Sequence, residues 1–263
     1  MYAFTYERPA SLGQALSLLA VGGQAFAGGQ TLLASMKQRL LSPEQLVDLS
    51  ALSELQGIRQ SGDSWMVGAF TRHQEVAEHA GLRAALPGLA ALAAGIGDRQ
   101  VRAMGTLGGS VANNDPAACY PSAVLALGAM VHTDRRQIAA DDFFQGMYTT
   151  ALEPGEVITA IAFPKALRSA YAKFKQPASR FALAGVFVAQ TAAGVRVAVT
   201  GAGNGVFRHA GLEAALSQRF TPEAVADVVI DASELNADLH ASADYRAHLI
   251  KVQTQRAVQQ ALA

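Results

Sequence analysis

The sequence predicts an α+β protein built from a larger N-terminal domain and a small C-terminal one. Three observations carry this. The chain has 263 residues, more than one average domain. Up to about residue 165, short strand patterns alternate with helical ones. From Tyr171 onward the pattern changes to long alternating or wholly apolar β segments followed by helices, the last of them long. The composition, 51% hydrophobic and 16% charged, supports large cores and argues against disorder.

Tyr2 to Tyr6 reads as a short strand stopped by Pro9. Ser11 with Gln14 has a capping-box spacing ahead of Ala15, Leu16, Leu18 and Leu19, and Gly22-Gly23 ends that helix. Gln24 to Ala27 reads as a buried strand that enters a glycine loop, Phe26-Ala27-Gly28-Gly29-Gln30-Thr31-Leu32-Leu33. A helix is expected from Gln30, and Leu46 to Leu49 as a strand completes a β-α-β unit. Leu55–Arg59 and Ser64–Phe70 form a hairpin pattern around Ser61-Gly62-Asp63. Thr71 with Gln74 reads as another capping box, which leaves His73 as a surface or capping residue. Leu82 to Ile96 predicts two short buried helices broken at Pro87-Gly88.

The stretch Gln100–Pro121, QVRAMGTLGGSVANNDPAACYP, is the centre of the chain. It holds Gly108-Gly109, two Asn and two Pro, and reads as an irregular loop rather than a helix. Glycines there let a ligand approach backbone N–H groups, and successive exposed N–H groups bind anions. Taken alone, a Gly-Gly pair is as compatible with an ordinary wide turn. Two such loops in one domain are suited to clamping a diphosphate from both sides.

Met130–His132, Arg135–Ala139 and Glu156–Phe163 read as strands. Asp141 and Asp142 read as helix-start carboxylates rather than metal ligands. The domain 1–165 is expected in two lobes, about 1–53 and 54–165. Beyond it, Tyr171–Lys175, Leu183–Gln190 and Val195–Val199 predict a three-stranded sheet. Gly201–Gly205 reads as a strand-to-loop turn. Two helices follow, the second opened by Thr221-Pro222-Glu223, and Asp244–Leu262 is a long terminal helix.

The formal net charge is zero, so no basic surplus points to nucleic acid or an anionic membrane. The single cysteine, Cys119, excludes an intrachain disulfide and a cysteine-ligated iron–sulfur cluster held by this chain alone. The N-terminus lacks a signal pattern, and no transmembrane run is present. The expected location is cytoplasmic.

FAGGQTLL, VRAMGTLGGSVANNDPAACYP, LEPGEVITAIAFP, KFKQPASRFALAG and SADYRAHLIKVQTQRAV, in this order and spacing, resemble the FAD-binding medium subunit of the molybdenum hydroxylases, the family of aerobic carbon monoxide dehydrogenase and xanthine dehydrogenase. The resemblance covers nearly the whole chain. It implies a two-lobed FAD-binding domain of the vanillyl-alcohol-oxidase (PCMH) type over 1–165. It implies a carbon monoxide dehydrogenase flavoprotein C-terminal domain over 166–263. The first loop, Phe26, Ala27, Gly28, Gly29, Gln30, Thr31, Leu32 and Leu33, would hold the diphosphate. Thr106, Leu107, Gly108, Gly109 and Ser110 would form the second cofactor loop, with Asp115. Ile158 falls where a strand touches the cofactor, Ile96 where an apolar residue lies against the ring, and Lys175 where a lysine tunes the flavin.

Two positions depart from the family pattern. The usual second aspartate of D-P-A-x-D-x-P, which hydrogen-bonds the ribityl chain, is Cys119, and Ala103 replaces a residue that is often Asn. Gln30 stands where related oxidases carry a flavin-linked His, so FAD should be non-covalent. The implied function is electron transfer, from iron–sulfur clusters on a small partner subunit through FAD to a quinone, NAD or oxygen. Substrate oxidation would occur at molybdopterin on a large subunit, in a heterotrimer or its dimer. This chain would carry no metal and no catalytic side chain of its own. The rival readings are a stand-alone FAD oxidase and a binding or assembly module that has lost FAD.

Overall fold

The computed structural model describes residues 1–263 throughout. Four sheets organise them. Near the N-terminus, Gln45–Asp48 lies between Thr5–Glu7 and Gln24–Phe26, all parallel. Parallel neighbours need crossover connections. Helix Leu12–Ala20 makes the first, its N-terminus capped by Ser11 Oγ accepting from Gln14 N–H at 3.3 Å. The short helix Leu32–Lys37 makes the second.

The second sheet is antiparallel, in the order Ile58–Ser61, Ser64–Gly68, Ile158–Pro164, Met130–Thr133, Gln137–Ala139. Ile158–Pro164 is central although it arrives last in the chain. The intervening residues are therefore folded as helices that cover the sheet. They include Ala80–Ala85 and Pro87–Ala94, broken at Pro87 as the sequence predicts, because proline is tolerated only in a helix's first turn. A two-stranded ribbon, Phe144–Gly146 with Thr149–Thr150, projects beside it.

The third extended sheet joins Arg168–Lys175, Ala182–Thr191 and Gly194–Thr200. The predicted three strands are present. A fourth, Phe207–Arg208, adds to the edge and was not expected, because two residues carry no periodicity. The terminal helix Ala243–Leu262 packs on the first two strands. The helix predicted at Thr221-Pro222 is only a 3-10 turn, Pro222–Val225.

The stretch expected to be irregular is mostly helical. Arg99–Met104, Leu107–Asn113 and Tyr120–Ala126 are helices. Gly108 and Gly109 sit in the first turn of the second, with Thr106 as N-cap accepting from Gly109 N–H at 3.2 Å. The glycines serve close packing. A Cβ on Gly108 would lie 2.6 Å from the Ala69 Cβ. The Thr71 capping box is also corrected. The helix begins at His73, Glu75 accepts from Arg72 N–H at 2.7 Å, and Thr71 donates to the Gly57 carbonyl instead.

The cores do not stop near residue 165. Helix Tyr120–Ala126 is buried at every residue. Its cluster joins Val131 and Phe163 of the second sheet to Tyr171, Phe187 and Ala198 of the third. Gly88 lets helix Pro87–Ala94 meet the strand Arg168–Lys175, since a Cβ there would lie 2.8 Å from Ala170 N.

Two buried charges hold loops to this frame. Arg246, 3% exposed, donates to the carbonyls of Leu183 and Gly201 at 2.7 and 2.8 Å and to Asp238 Oδ2 at 2.7 Å. It thus ties the terminal helix to both strand ends and the 238 loop. Asp238 keeps 44% of its side chain exposed, so removing Arg246 strands two carbonyls rather than a buried charge, and the lost charged hydrogen bonds cost about 1.5–3 kcal/mol. Arg246→Met is expected to lose stability of that order in urea unfolding, and a loss under 1 kcal/mol would show the network to be dispensable.

Glu156 accepts from Arg136, Thr133 Oγ1 and Glu153 N–H. Its carboxylate side chain is fully sealed from solvent, whereas Arg136 is 42% exposed. The Arg136 hydrogen bonds dominate, are opposed by burial, and are helped by Glu153 N–H and Thr133; together they lower the Glu156 pKa to about 2. A carboxyl depressed in the folded state stabilises above its unfolded value and loses that stabilisation as pH falls to the folded value. The wild type is therefore expected to lose roughly 2–3 kcal/mol from this residue between about pH 5 and pH 2. The difference in unfolding free energy between wild type and Glu156→Gln should shrink over the same window; a pH-independent difference would exclude this linkage.

Candidate functional site

The N-terminal sheet delivers the chain from strand Gln24–Phe26 directly into Ala27–Thr31. The backbone N–H groups of Gly28, Gly29, Gln30 and Thr31 find no acceptor within the protein. Gly29 holds φ +68°, a left-handed conformation that glycine adopts without Cβ strain. Gln30 Nε2 donates to the Gly28 carbonyl at 3.1 Å, stiffening the turn. The four free N–H groups therefore lie in one short concave turn, an arrangement that receives an anion.

The second loop meets the first at close range. A Cβ on Gly28 would lie 2.3 Å from the Met104 carbonyl oxygen and 2.7 Å from Gly105 Cα. Only glycine permits this approach. The second loop contributes differently from what its glycines suggest. Gly108 N–H is spent on the Ala69 carbonyl at 2.8 Å, and Gly109 N–H on Thr106 Oγ1. What remains for a ligand is the Thr106 N–H, unpaired within the protein, and the Ser110 hydroxyl, which donates to no protein group.

Between the loops runs a cleft of about 570 Å³. Ala27, Gly28, Gly29, Gln30, Thr31, Leu32, Ile96, Thr106, Gly108, Gly109, Ser110, Asp115, Cys119 and Ile158 all line it. Phe26, Leu33, Leu107 and Lys175 do not. Phe26 and Leu33 instead flank Gly29, where a Cβ would lie 2.8 Å and 2.9 Å from them, and so shape the turn from behind. Leu107 is fully buried in the core.

Lys175 does not line the cleft. The strand register slips between Phe174 and Lys175, so the alternation of sides is broken there. Lys175 is exposed, and Lys173 occupies the cleft. Lys173 Nζ donates to Cys119 Sγ at 3.3 Å and to the Arg180 carbonyl at 3.0 Å. The hairpin turn that carries Arg180 and Phe181 closes one side of the cleft, and Arg180 reaches the Gly97 carbonyl at 3.3 Å.

The opposite wall is pinned by the third sheet. Thr200 Oγ1 donates in a shared bond to the carbonyls of Pro116 and Ala118 at 2.9 and 2.7 Å, and Gly201 N–H donates to Pro116. This holds the turn before Cys119. Asp115 accepts from Ala117 N–H at 2.8 Å and from the Tyr148 hydroxyl at 3.3 Å. Asn114 sits at φ +43° and Tyr148 at φ +54°. The Asn114 amide donates to the Gly146 and Thr149 carbonyls at 2.8 Å each, so it locks the ribbon that presents Tyr148 to the cleft.

His73 is neither the surface nor the capping residue that the sequence suggests: it is the first residue of its helix and lies in the cleft wall at 4% exposure. Burial first, and then the Arg102 charge, push its pKa down to about 4. Sequence spacing pointed to Thr71 as the cap and so to the wrong helical face. Lys173 and Tyr148 carried no local signal either, because their approach to Cys119 and Asp115 is made across the fold. No group of three or more His, Cys, Asp or Glu side chains is placed to hold a metal ion.

The sequence matches a family model described as the FAD binding domain in molybdopterin dehydrogenase over residues 2–166. It is 36% identical to the carbon monoxide dehydrogenase medium chain of Hydrogenophaga pseudoflava, over 99% of this chain and 97% of that one. It is 32% identical to the glyceraldehyde dehydrogenase medium chain of Sulfolobus acidocaldarius, over 97% of this chain and 96% of that one. A solved structure of the Hydrogenophaga pseudoflava carbon monoxide dehydrogenase, in a form that lacks the Mo-pyranopterin moiety of its cofactor, superposes with a TM-score of 0.91 at 35% identity, covering 99% of this chain and 98% of that one. With its paired glycine loops around one cleft and these matches along its length, the chain belongs to the family of FAD-binding domains of molybdopterin dehydrogenases.

Proposed function

We propose that this chain is the flavoprotein subunit of a molybdenum hydroxylase complex and holds FAD in the cleft between its glycine loops. The observation that carries the reading is the contact of Gly28 with Met104 and Gly105, beside four backbone N–H groups that no protein atom accepts. That donor set fits a diphosphate, and the 570 Å³ cleft continues from it between apolar Ile96 and Ile158. The relatives of similar length include medium chains of carbon monoxide and glyceraldehyde dehydrogenases and a nicotine 6-hydroxylase medium subunit, which supports a multisubunit setting.

When bound, FAD supplies a redox group able to exchange one or two electrons. The residues of this chain bind, orient and shield it. Gly28 to Thr31, with Thr106 and Ser110, would hold the diphosphate. Asp115 and Cys119 would face the ribityl hydroxyls, and Ile96 and Ile158 would border the rings. Lys173, rather than Lys175, places an ammonium in the cleft, where a positive charge favours negative charge on the cofactor. Gln30 cannot form the histidyl link of related oxidases, so FAD is held non-covalently.

In this reading, electrons arrive from iron–sulfur clusters on a small partner subunit and leave to an external acceptor. Molybdopterin and substrate oxidation belong to a large partner, in a heterotrimer or its dimer. The two lobes, about 1–53 and 54–165, form a PCMH-type FAD domain, with 166–263 as the flavoprotein C-terminal domain. No helix is long and apolar enough to cross a membrane. In this reading the complex works in the cytoplasm. Copurification from the native host tests the partnership. Recovery of the chain alone, turning over an organic substrate by itself, would support a stand-alone oxidase instead.

Gly28→Val tests the diphosphate loop. The new side chain must push into the Met104–Gly105 backbone, so FAD affinity should fall at least tenfold, about 1.4 kcal/mol. A folded variant with an unchanged FAD titration would sink the assignment of this loop.

Cys119→Asp tests the ribityl wall. A thiol is a weak hydrogen-bonding group, whereas bonds to a carboxylate contribute roughly 1.5–3 kcal/mol. The structure adds a counter-ion, because Lys173 Nζ already lies 3.3 Å from the Cys119 sulfur. The desolvation of a partly buried carboxylate is thereby offset, and FAD should bind about tenfold more tightly. Weaker binding by a folded variant would show that the ribityl wall is built around the thiol.

A further inference from the structure

His73 is a buried titratable group in the cleft wall with no structural partner. Its backbone N–H donates to the Gly105 carbonyl at 2.9 Å, which sets the residue directly beneath the second loop. Its ring packs against Tyr120 with centroids 5.2 Å apart and planes at 54°, so its orientation is held by the core. Nδ1 is sealed from solvent and unpaired. Nε2 lies toward Gly105, where even a Cβ would come within 2.5 Å of it. Since the residue borders the cleft and Nδ1 has no exposure, Nε2 is the ring nitrogen on the cleft side.

This arrangement fixes the tautomer. An orphaned buried N–H is rarer and costlier than an underused acceptor lone pair. The proton of the neutral ring therefore belongs on Nε2, where it can donate into the cleft, and Nδ1 keeps its lone pair in the apolar core. The neutral state follows from burial and the Arg102 charge. The Nε2–H has no acceptor within the protein and stays free to donate to a ligand oxygen that enters the cleft. The location identifies that oxygen. Gly105 touches the His73 ring on one side and the Gly28 loop on the other. The Nε2–H donor is thus separated only by Gly105 from the loop whose N–H groups, Gly28 to Thr31, have no acceptor within the protein, and it lies one residue from the equally free Thr106 N–H.

We propose that His73 is a diphosphate-binding residue, whose Nε2–H donates to a phosphate oxygen of the bound dinucleotide. The proposal rests on the assignment of FAD to the cleft. It adds to the backbone loops the single side-chain ring that the core holds rigid behind them.

The test is titration of the full apo-chain with FAD and with ADP, which carries the diphosphate but no flavin. Variants are His73→Gln, whose amide N–H reaches near the Nε2 position, His73→Asn, whose amide reaches only near Nδ1, and His73→Leu. The expected result is at least fivefold weaker binding of both FAD and ADP by the Asn and Leu variants, with the Gln variant within about threefold of wild type. If Leu fails to fold, as judged by circular dichroism and thermal melting, the contrast between Gln and Asn decides. Equal binding by Asn, Gln and wild type overturns the proposal. So does weaker FAD binding with unchanged ADP binding, which would move the contact to the flavin half, and so does equal weakening by Gln and Asn, which would mean a packing role. A wild-type chain that binds neither FAD nor ADP overturns the site assignment itself, which separates that failure from failure at His73.

Discussion

The structure depends on one close approach, Gly28 against the backbone of Met104 and Gly105. Two loops more than seventy residues apart in sequence touch there without an intervening side chain. The first loop comes from a parallel sheet and the second from helices over an antiparallel sheet. The parallel sheet packs in a small cluster that Leu55, Phe70 and Val157 beside the antiparallel sheet also enter, and the antiparallel sheet packs mainly in a larger one, so the contact lies where the two clusters adjoin. A cleft at that junction can present the backbone N–H groups of one loop and the polar side chains of the other to the same ligand. This is why the donors of Gly28–Thr31 and the Thr106–Ser110 turn face a shared space.

The C-terminal sheet contributes more than an added layer. Helix Tyr120–Ala126 is buried between it and the second sheet, and Thr200 and Gly201 hold the Pro116–Ala118 turn. Arg246 stabilises the far side of the same strand ends through Gly201 and Leu183. The cleft wall at Asp115 and Cys119 is thus positioned from behind by residues some eighty positions later. Lys173 enters from the front of that wall. A lysine reaching a buried sulfur has little freedom, which preorganises its charge where a ligand would meet it.

Three of the four non-glycine residues with positive φ lie at or beside the cleft: Tyr148 and Arg180 line it, and Asn114 adjoins Asp115. Left-handed backbone at non-glycine residues costs energy and persists where surrounding bonds over-determine it. The Asn114 amide and the tie between Lys173 and the Arg180 carbonyl do so here. Both devices hold short turns over the cleft rather than helices or strands. The rim is therefore specified by side-chain hydrogen bonds more than by secondary structure.

The sequence by itself determined the α+β class, the strands of the three larger sheets apart from the short edge strand Phe207–Arg208, the break at Pro87 and the stretches that line the cleft. Those features follow from local periodicity, from proline and glycine chemistry, and from motif strings that keep their order. It misread what needs neighbours distant in the chain. Gly108 and Gly109 looked like exposed donors, yet the Gly109 N–H is spent on its own N-cap, Thr106, and the Gly108 N–H on the Ala69 carbonyl, a partner some forty residues away that the local pattern does not encode. Lys175 looked like the cleft lysine, but a register slip against Ala182 leaves Lys173 there, and a slip is a property of the pair of strands. His73 looked like a surface residue because its helix starts one turn-position later than the Thr71 pattern suggests. Only the tertiary structure, by laying Gly105 and Tyr120 against its ring, decides that it is buried, neutral and facing the cleft.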